Sequence, residues 1–276
     1  MGFVNGTFMP LEQATVSVED RGYQFGDGVY EVIRTYRGAP FQTDAHLSRL
    51  ARSAQAIGLP MPYSNREWNE LVTEGLKRAG FAESKVYIQL TRGVAPRDHA
   101  FPPESRPTVV MTIRELRPLA QAICDAGVEA ITFDDIRWGR CDIKSVNLLA
   151  NVLARQRAKE AGVFEAIFVR DGVVTEGSVS NVFVVRHGTL ATAPEGPCIL
   201  SGVTRALVLA LARKEKLSVE ERPVSLDELR HADEVFLCGT TVEVLPVVRI
   251  DGQVVGTGKP GPLTGRLSER FKQAVT

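Results

Sequence analysis

The sequence predicts an α+β protein of two domains. Segments with the two-residue alternation of strands interleave with segments of helical period. The longest apolar runs are strand-length. The chain also changes character over RPLAQAICDAG, residues 117–127. The expected division is a smaller N-terminal α+β domain over 1–117, a linker over 118–126, and a larger C-terminal α+β domain over 127–276 carrying Lys144. With 276 residues and 44% hydrophobic content, the chain has material for a substantial core.

The elements follow in order. VNGTFMP and ATVSVEDRG read as a strand, a turn and a second strand, and GVYEVIRTYRGAPFQTD as a hairpin around Arg37-Gly38. DAHLSRLARSAQAIGL carries Leu47, Leu50, Ala51, Ala54 and Ile57 at helical spacing. SNREWNELVTEGLKRAG is a second helix, capped by Ser64 or Asn65 and stopped by Gly80. KVYIQLTRG, PTVVMTIREL and VEAITFDDIRW are strands. SVNLLANVLARQRAKEAG is a long amphipathic helix ending at Gly162. Two hairpins turn at Asp171-Gly172 and His187-Gly188. SGVTRALVLALARKEKL and SLDELRHA are helices, DEVFLCGTT and EVLPVVRIDGQVVG strands, and PLTGRLSERFKQAV a closing helix.

Composition excludes some functions. Lys+Arg and Asp+Glu are 33 each, so the basic excess of a nucleic-acid binder is missing. No apolar run is long enough to span a membrane, and MGFVNGTFMP has neither the basic region nor the apolar core of a signal peptide. The four cysteines are far apart, form no CxxC and do not pair with the four histidines at ligand spacing. The expectation is reduced thiols in a cytoplasmic protein and no metal.

Five features could carry chemistry. Lys144 sits between a strand and a helix start, beside Cys141, Ile143 and Val146. Lysine is ordinarily a surface cation, but an apolar wall would favour the free amine, a nucleophile. TEGSVSN, 175–181, gives a carboxylate, Glu176, and a turn with Ser178, Ser180 and Asn181, where amides and hydroxyls could hold an anion. GVTR, 202–205, opens a helix whose first N–H groups favour an anion, with Thr204 adding a hydroxyl; ordinary capping explains the same residues. The GTT after a later strand offers Thr240 and Thr241 similarly. TRGVAPRDHAFPP, 91–103, is either a solvated loop or a carboxylate receptor. Arg97 and His99 are two apart and point one way if the loop is extended.

Together these pieces resemble the class IV, fold-type IV, pyridoxal-phosphate aminotransferases over nearly the whole chain. RGYQFGDGVYEVIRTY, HLSRL, RCDIKSVNLLANVLA, EAIFVRDGVVTEGSVSNVF, GVTR and the strand ending GTT all match in order. RGVAPRDHAFP is similar to the substrate-carboxylate loop of the D-amino-acid branch of that family. The resemblance implies pyridoxal 5'-phosphate at the domain interface and a ping-pong transamination between D-amino acids, such as D-alanine, and 2-oxo acids. It places Lys144 as the Schiff-base lysine, Glu176 at the pyridine nitrogen and Arg49 on the phosphate, with Val203, Thr204 and Thr241 nearby. Tyr30, Arg97 and His99 fall at the substrate. In the family the Arg/His loop reaches across a homodimer interface, so two subunits would build each site. Val179 departs from the pattern, where a serine can occur, which puts phosphate contacts from Ser178 and Ser180 in doubt. Branched-chain L-amino-acid aminotransferases, (R)-amine transaminases and aminodeoxychorismate lyase share the frame; a non-catalytic cofactor-binding scaffold is the alternative from another class.

Overall fold

The structure is a computed structural model, and it describes residues 1–104 and 106–275. The chain divides into two compact units: Met1–Arg117 with Ile143–Asn147, and Pro118–Asp142 with Leu148–Thr276.

The first unit contains β1 (Gly2–Val4), β2 (Thr7–Met9), α1 (Arg21–Phe25), β3 (Gly28–Tyr36), β4 (Ala39–Pro40), α2 (Thr43–Ala56), α3 (Asn65–Ala79), β5 (Ser84–Thr91) and β6 (Thr108–Glu115). Its sheet runs β2-β1-β6-β5-β3-β4, antiparallel throughout. Strand alternation sorts the two faces. Val29, Ile33, Val86, Ile88, Leu90, Val109, Met111 and Ile113 are buried in one core with Leu47, Leu50 and Ala54 of α2 and Trp68 and Val72 of α3. Tyr30, Val32, Tyr87, Gln89, Val110 and Thr112 alternate with them, on the opposite face. The α3 ends are those its sequence dictates: Ser64 and Glu67 form a capping box, and Gly80 closes the helix in the left-handed conformation.

The second unit contains α4 (Gln121–Ala126), β7 (Val128–Asp134), α5 (Leu149–Glu160), β8 (Glu165–Arg170), β9 (Val173–Gly177), β10 (Asn181–Arg186), β11 (Thr189–Thr192), α6 (Val203–Lys214), β12 (Ser218–Glu221), β13 (Val224–Ser225), α7 (Leu226–Arg230), β14 (Glu234–Gly239), β15 (Glu243–Ile250), β16 (Gln253–Val254) and α8 (Pro262–Val275). Its mixed sheet runs β12-β11-β10-β14-β15-β7-β8-β9-β13, with β16 on β15. Parallel β7 and β8 require a crossover, which α5 supplies. Ala154 and Ala158 of α5 are fully buried on Ala166 and Phe168 of β8, their small side chains allowing close packing.

Several expectations needed correction. ATVSVEDRG is not a strand: β1 already pairs with β2 through the Asn5-Gly6 turn and with β6, and Val16 and Val18 lie exposed outside the sheets. The helix expected from Ser145 begins at Leu149. Residues 144–146 instead use their backbone against β3: Tyr30 N–H donates to Lys144 O at 2.9 Å and Val146 N–H to Gly28 O at 3.1 Å. This pairing puts Ile143–Asn147 in the first compact unit, so Lys144 belongs with the N-terminal segment rather than the C-terminal one. The 118–126 segment contains the short helix α4. RGYQF, whose Arg21-Gly22 closes the ATVSVEDRG segment expected as a strand, is the helix α1. Asp20 caps it by accepting from Gly22 N–H, and Gly26 ends it at φ +68°. Gly22 stands where a Cβ would lie 2.2 Å from the Thr91 side chain, so α1 sits directly on β5.

Candidate active site

In the first unit, Tyr30, Lys144 and Arg49 gather around β3 and α2. Lys144 is half-buried, its backbone N–H donates to Ser53 Oγ at 3.1 Å, and its ammonium lies 4.2 Å from the centre of the Tyr30 ring. Tyr30 stacks on Tyr87, whose hydroxyl donates to Gln89. Burial, with the nearby Tyr30, pushes the Tyr87 hydroxyl up to about 12, so it remains a donor at neutral pH.

Arg49 is buried and meets Glu31 in a two-pronged ion pair, Nε to Oε2 at 2.9 Å and Nη2 to Oε1 at 2.6 Å. His46 Nδ1 lies 3.0 Å from the same carboxylate. Burial alone would raise the Glu31 carboxyl, but the Arg49 charge and the bonds from His46 and Arg49 hold it well below the usual carboxylate range. Glu31 therefore fixes the guanidinium that faces it. The strand pattern contained its signal, a glutamate in phase with buried Val29 and Ile33.

Arg97 and His99 lie in the exposed loop after β5, and both pack on one ring. The Arg97 guanidinium is 4.5 Å from the Phe25 centroid and the His99 ring 5.3 Å from it.

In the second unit, Glu176 is buried near the end of β9. It accepts from Arg137 Nη1, from Asn181 Nδ2 at 3.2 Å and from Leu200 N–H at 3.0 Å. Arg137 also pairs with buried Asp135 at 2.9 Å and lies over Phe168 at 4.3 Å. Burial opposes charge on Asp135 and Arg137 alike. Their mutual hydrogen bonds and opposite charges, with Glu176 acting on Arg137, prevail and keep both ionised. Arg137 is the residue sequence reasoning missed: the 39 positions separating it from Glu176 leave no local signal.

Asn181 joins this carboxylate to the start of α6. Its Nδ2 also donates to Leu200 O at 3.0 Å, and a Cβ on Gly202 would lie 2.0 Å from its Oδ1. Gly202 is the N-cap of α6 and offers no side chain to the first-turn N–H groups. Val203 is half-buried and Thr204 buried; Thr240 and Thr241 are half-buried in the turn between β14 and β15.

Ser178 and Ser180 are otherwise engaged. Both hydroxyls donate to the fully buried carboxylate of Glu165, Ser180 at 2.9 Å, and Ser178 N–H donates to Ala166 O. A hydroxyl has one proton to give. These two serines therefore shape the turn after Glu176, and Ser178 has no donor left for an anion.

The two units, each taken by itself, thus offer an amine on an aromatic face, a buried arginine, a fixed carboxylate and a helix start with hydroxyls nearby. That donor set complements an aldehyde, a basic ring nitrogen and a phosphate, the three handles of pyridoxal 5'-phosphate. Among the described residues no His, Cys, Asp and Glu cluster could hold a metal ion, and no helix is long and apolar enough to cross a membrane.

Comparisons with known proteins agree in kind. The family model for class IV amino-transferases matches residues 28–250. The D-alanine aminotransferase of Bacillus licheniformis is 46% identical over 272 residues, covering 98% of this chain and 95% of the relative. That of Staphylococcus haemolyticus is 44% identical over 274 residues, covering 99% and 97%. A solved branched-chain amino acid aminotransferase from Escherichia coli matches with a TM-score of 0.91 at 27% identity, covering 100% of this chain and 94% of its own. A fold IV-transaminase from Curtobacterium pusillum matches with a TM-score of 0.81 at 29% identity, covering 95% and 92%.

Proposed function

The chain belongs to the class IV aminotransferase family, of fold type IV, and on that premise we propose that it exchanges amino groups between D-amino acids and 2-oxo acids. D-alanine and 2-oxoglutarate are the representative pair, and the reaction is ping-pong with pyridoxal 5'-phosphate as cofactor. Relatives named D-alanine aminotransferases support this substrate class over nearly the full chain. The observation that carries it is the Arg97/His99 loop: two side chains able to donate to a carboxylate are set against one ring, Phe25. An amine without a carboxylate would leave both without a ligand to bind.

When bound, the cofactor supplies an electrophilic carbonyl and a ring that takes up the electrons released at the substrate Cα. Lys144 would hold it through Nζ and, once displaced by substrate, carry the proton from the substrate Cα and return it on the other side of the exchange. Glu176 would face the ring nitrogen and keep a proton there; Arg137 holds this carboxylate in place. Arg49, oriented by Glu31, would meet the phosphate, together with the first turn of α6, Thr204 and the Thr240-Thr241 turn. Arg97 and His99 would bind the substrate carboxylate, and Tyr30, already beside Lys144, would border the reacting carbon.

We further propose a cytoplasmic homodimer in which the loop of one subunit serves its neighbour. Exposed Val18, Tyr23, Val94 and Phe101, apolar residues around that loop, support the dimer, and Cys124, Cys141, Cys198 and Cys238 are all free thiols. Sedimentation as a monomer at working concentrations would refute the shared site.

Arg97→Ala tests the substrate reading. It should raise the KM for D-alanine by about tenfold or more while leaving cofactor absorbance unchanged. Unchanged D-alanine kinetics would remove the loop from substrate recognition.

A further inference from the structure

Arg21 lies outside every group assigned above, yet it is buried and bonded through all three of its guanidinium nitrogens. Its guanidinium donates to the carbonyls of three consecutive loop residues: Nη1 to Asp98 O and, at 3.2 Å, to Ala100 O, and Nη2 to His99 O at 3.3 Å. Its Nε donates to Asp27 at 2.9 Å. Its backbone N–H donates to Gly93 O at 2.9 Å, at the loop's start. Four residues further along the same helical turn stands Phe25, whose ring carries Arg21 on one contact (4.8 Å), Arg97 on another (4.5 Å) and His99 on a third (5.3 Å). Asp27 is shared with Arg92, which pairs with it through Nε at 2.8 Å and Nη2 at 3.0 Å and lies 3.5 Å from the Phe101 centroid.

We propose that α1 is a preorganising platform for the Arg97/His99 loop, with Arg21 as its positioning residue and Phe25 as the surface that turns both side chains the same way. The proposal rests on the substrate-carboxylate reading of that loop. A loop with exposed side chains would ordinarily sample many conformations, and ordering it on substrate would cost affinity. A single planar guanidinium holding three carbonyls removes that cost beforehand. Only arginine has the fork of donors for this; lysine keeps the charge facing Asp27 but cannot span the three oxygens. The aromatic face of Phe25 attracts the Arg97 cation and receives the His99 ring, so the spacing of two along the loop becomes two donors on one side.

Arg21→Lys in the holoenzyme is the test, read by kinetics and by hydrogen exchange. The KM for D-alanine should rise by about tenfold, with kcat changing less and cofactor absorbance unaltered. Turnover of an (R)-amine lacking a carboxylate should be unchanged, and amide exchange should accelerate over residues 97–101. Phe25→Leu, which keeps apolar bulk at the same place, should shift KM in the same direction. Equal effects on carboxylate-bearing and carboxylate-free donors, or unaltered exchange in the loop, would overturn the platform. Failure of the carboxylate reading itself shows differently: Arg97→Ala would leave D-alanine KM unchanged while Arg21→Lys still loosened the loop.

Discussion

At the scale of single residues, the structure assigns tasks to side chains that sequence patterns pass over. Lys144, Glu176 and Arg49 stand out in the sequence because their residue types suit a cofactor's three handles. What holds them does not stand out. Arg137 clamps Glu176 across a hairpin, Glu31 clamps Arg49 across a strand and a helix, and Glu165 gathers the hydroxyls of Ser178 and Ser180. Each is a contact between distant positions, so neither spacing nor local propensity announces it. Arg137→Gln should therefore leave Glu176 buried without the cation that clamps it, while Asp135 keeps Arg170 at 3.1 Å, costing about 3 kcal/mol of stability. Because Glu176 would then be less firmly held, affinity for pyridoxal 5'-phosphate should fall as well. A cofactor affinity and an unfolding midpoint both identical to wild type would show that Arg137 has no hold on the carboxylate.

At the scale of elements, most of the architecture is legible because its determinants are local. The Ser64–Glu67 capping box and Gly80 bound α3, Asp171-Gly172 and His187-Gly188 turn the hairpins, and alternation sorts the faces of β3 and β5. Ser64→Ala removes the side-chain half of the box and should cost about 1 kcal/mol, seen as a lower urea midpoint with an unchanged m-value. An unchanged midpoint would mean that the cap is redundant with tertiary packing. The misread elements share one physical cause. Residues 144–146 have helix-compatible side chains but pair with β3, a partner more than a hundred positions away. The short helix α1 is hidden by Gly22, a poor helix former that close packing on Thr91 requires. Val16 and Val18 alternate like a strand, yet β1 takes its hydrogen bonds from β2 and β6.

At the scale of the whole molecule, two compact units bury separate cores, and the excursion Ile143–Asn147 belongs to the first although the sequence on either side belongs to the second. A linear division of the sequence has no means of expressing such an exchange, because it follows from backbone pairing to β3 rather than from composition. Stability should depend on acid in a definite sense. Glu31 and Asp135 are held below the usual carboxylate range in the folded chain. Below about pH 4 the unfolded chain binds protons that the folded chain refuses, so stability falls as pH drops through that range. Urea midpoints that stay flat from about pH 5 to pH 3 would contradict this. Catalysis is the property of the whole molecule, and its most direct test is product chirality. Purified protein loaded with pyridoxal 5'-phosphate is given D-alanine or L-alanine with 2-oxoglutarate, beside a Lys144→Ala variant, and the products are resolved by chiral chromatography. The expected result is pyruvate and D-glutamate from D-alanine alone and no turnover by the variant; L-glutamate from L-alanine at a comparable rate, or full activity without Lys144, would contradict it.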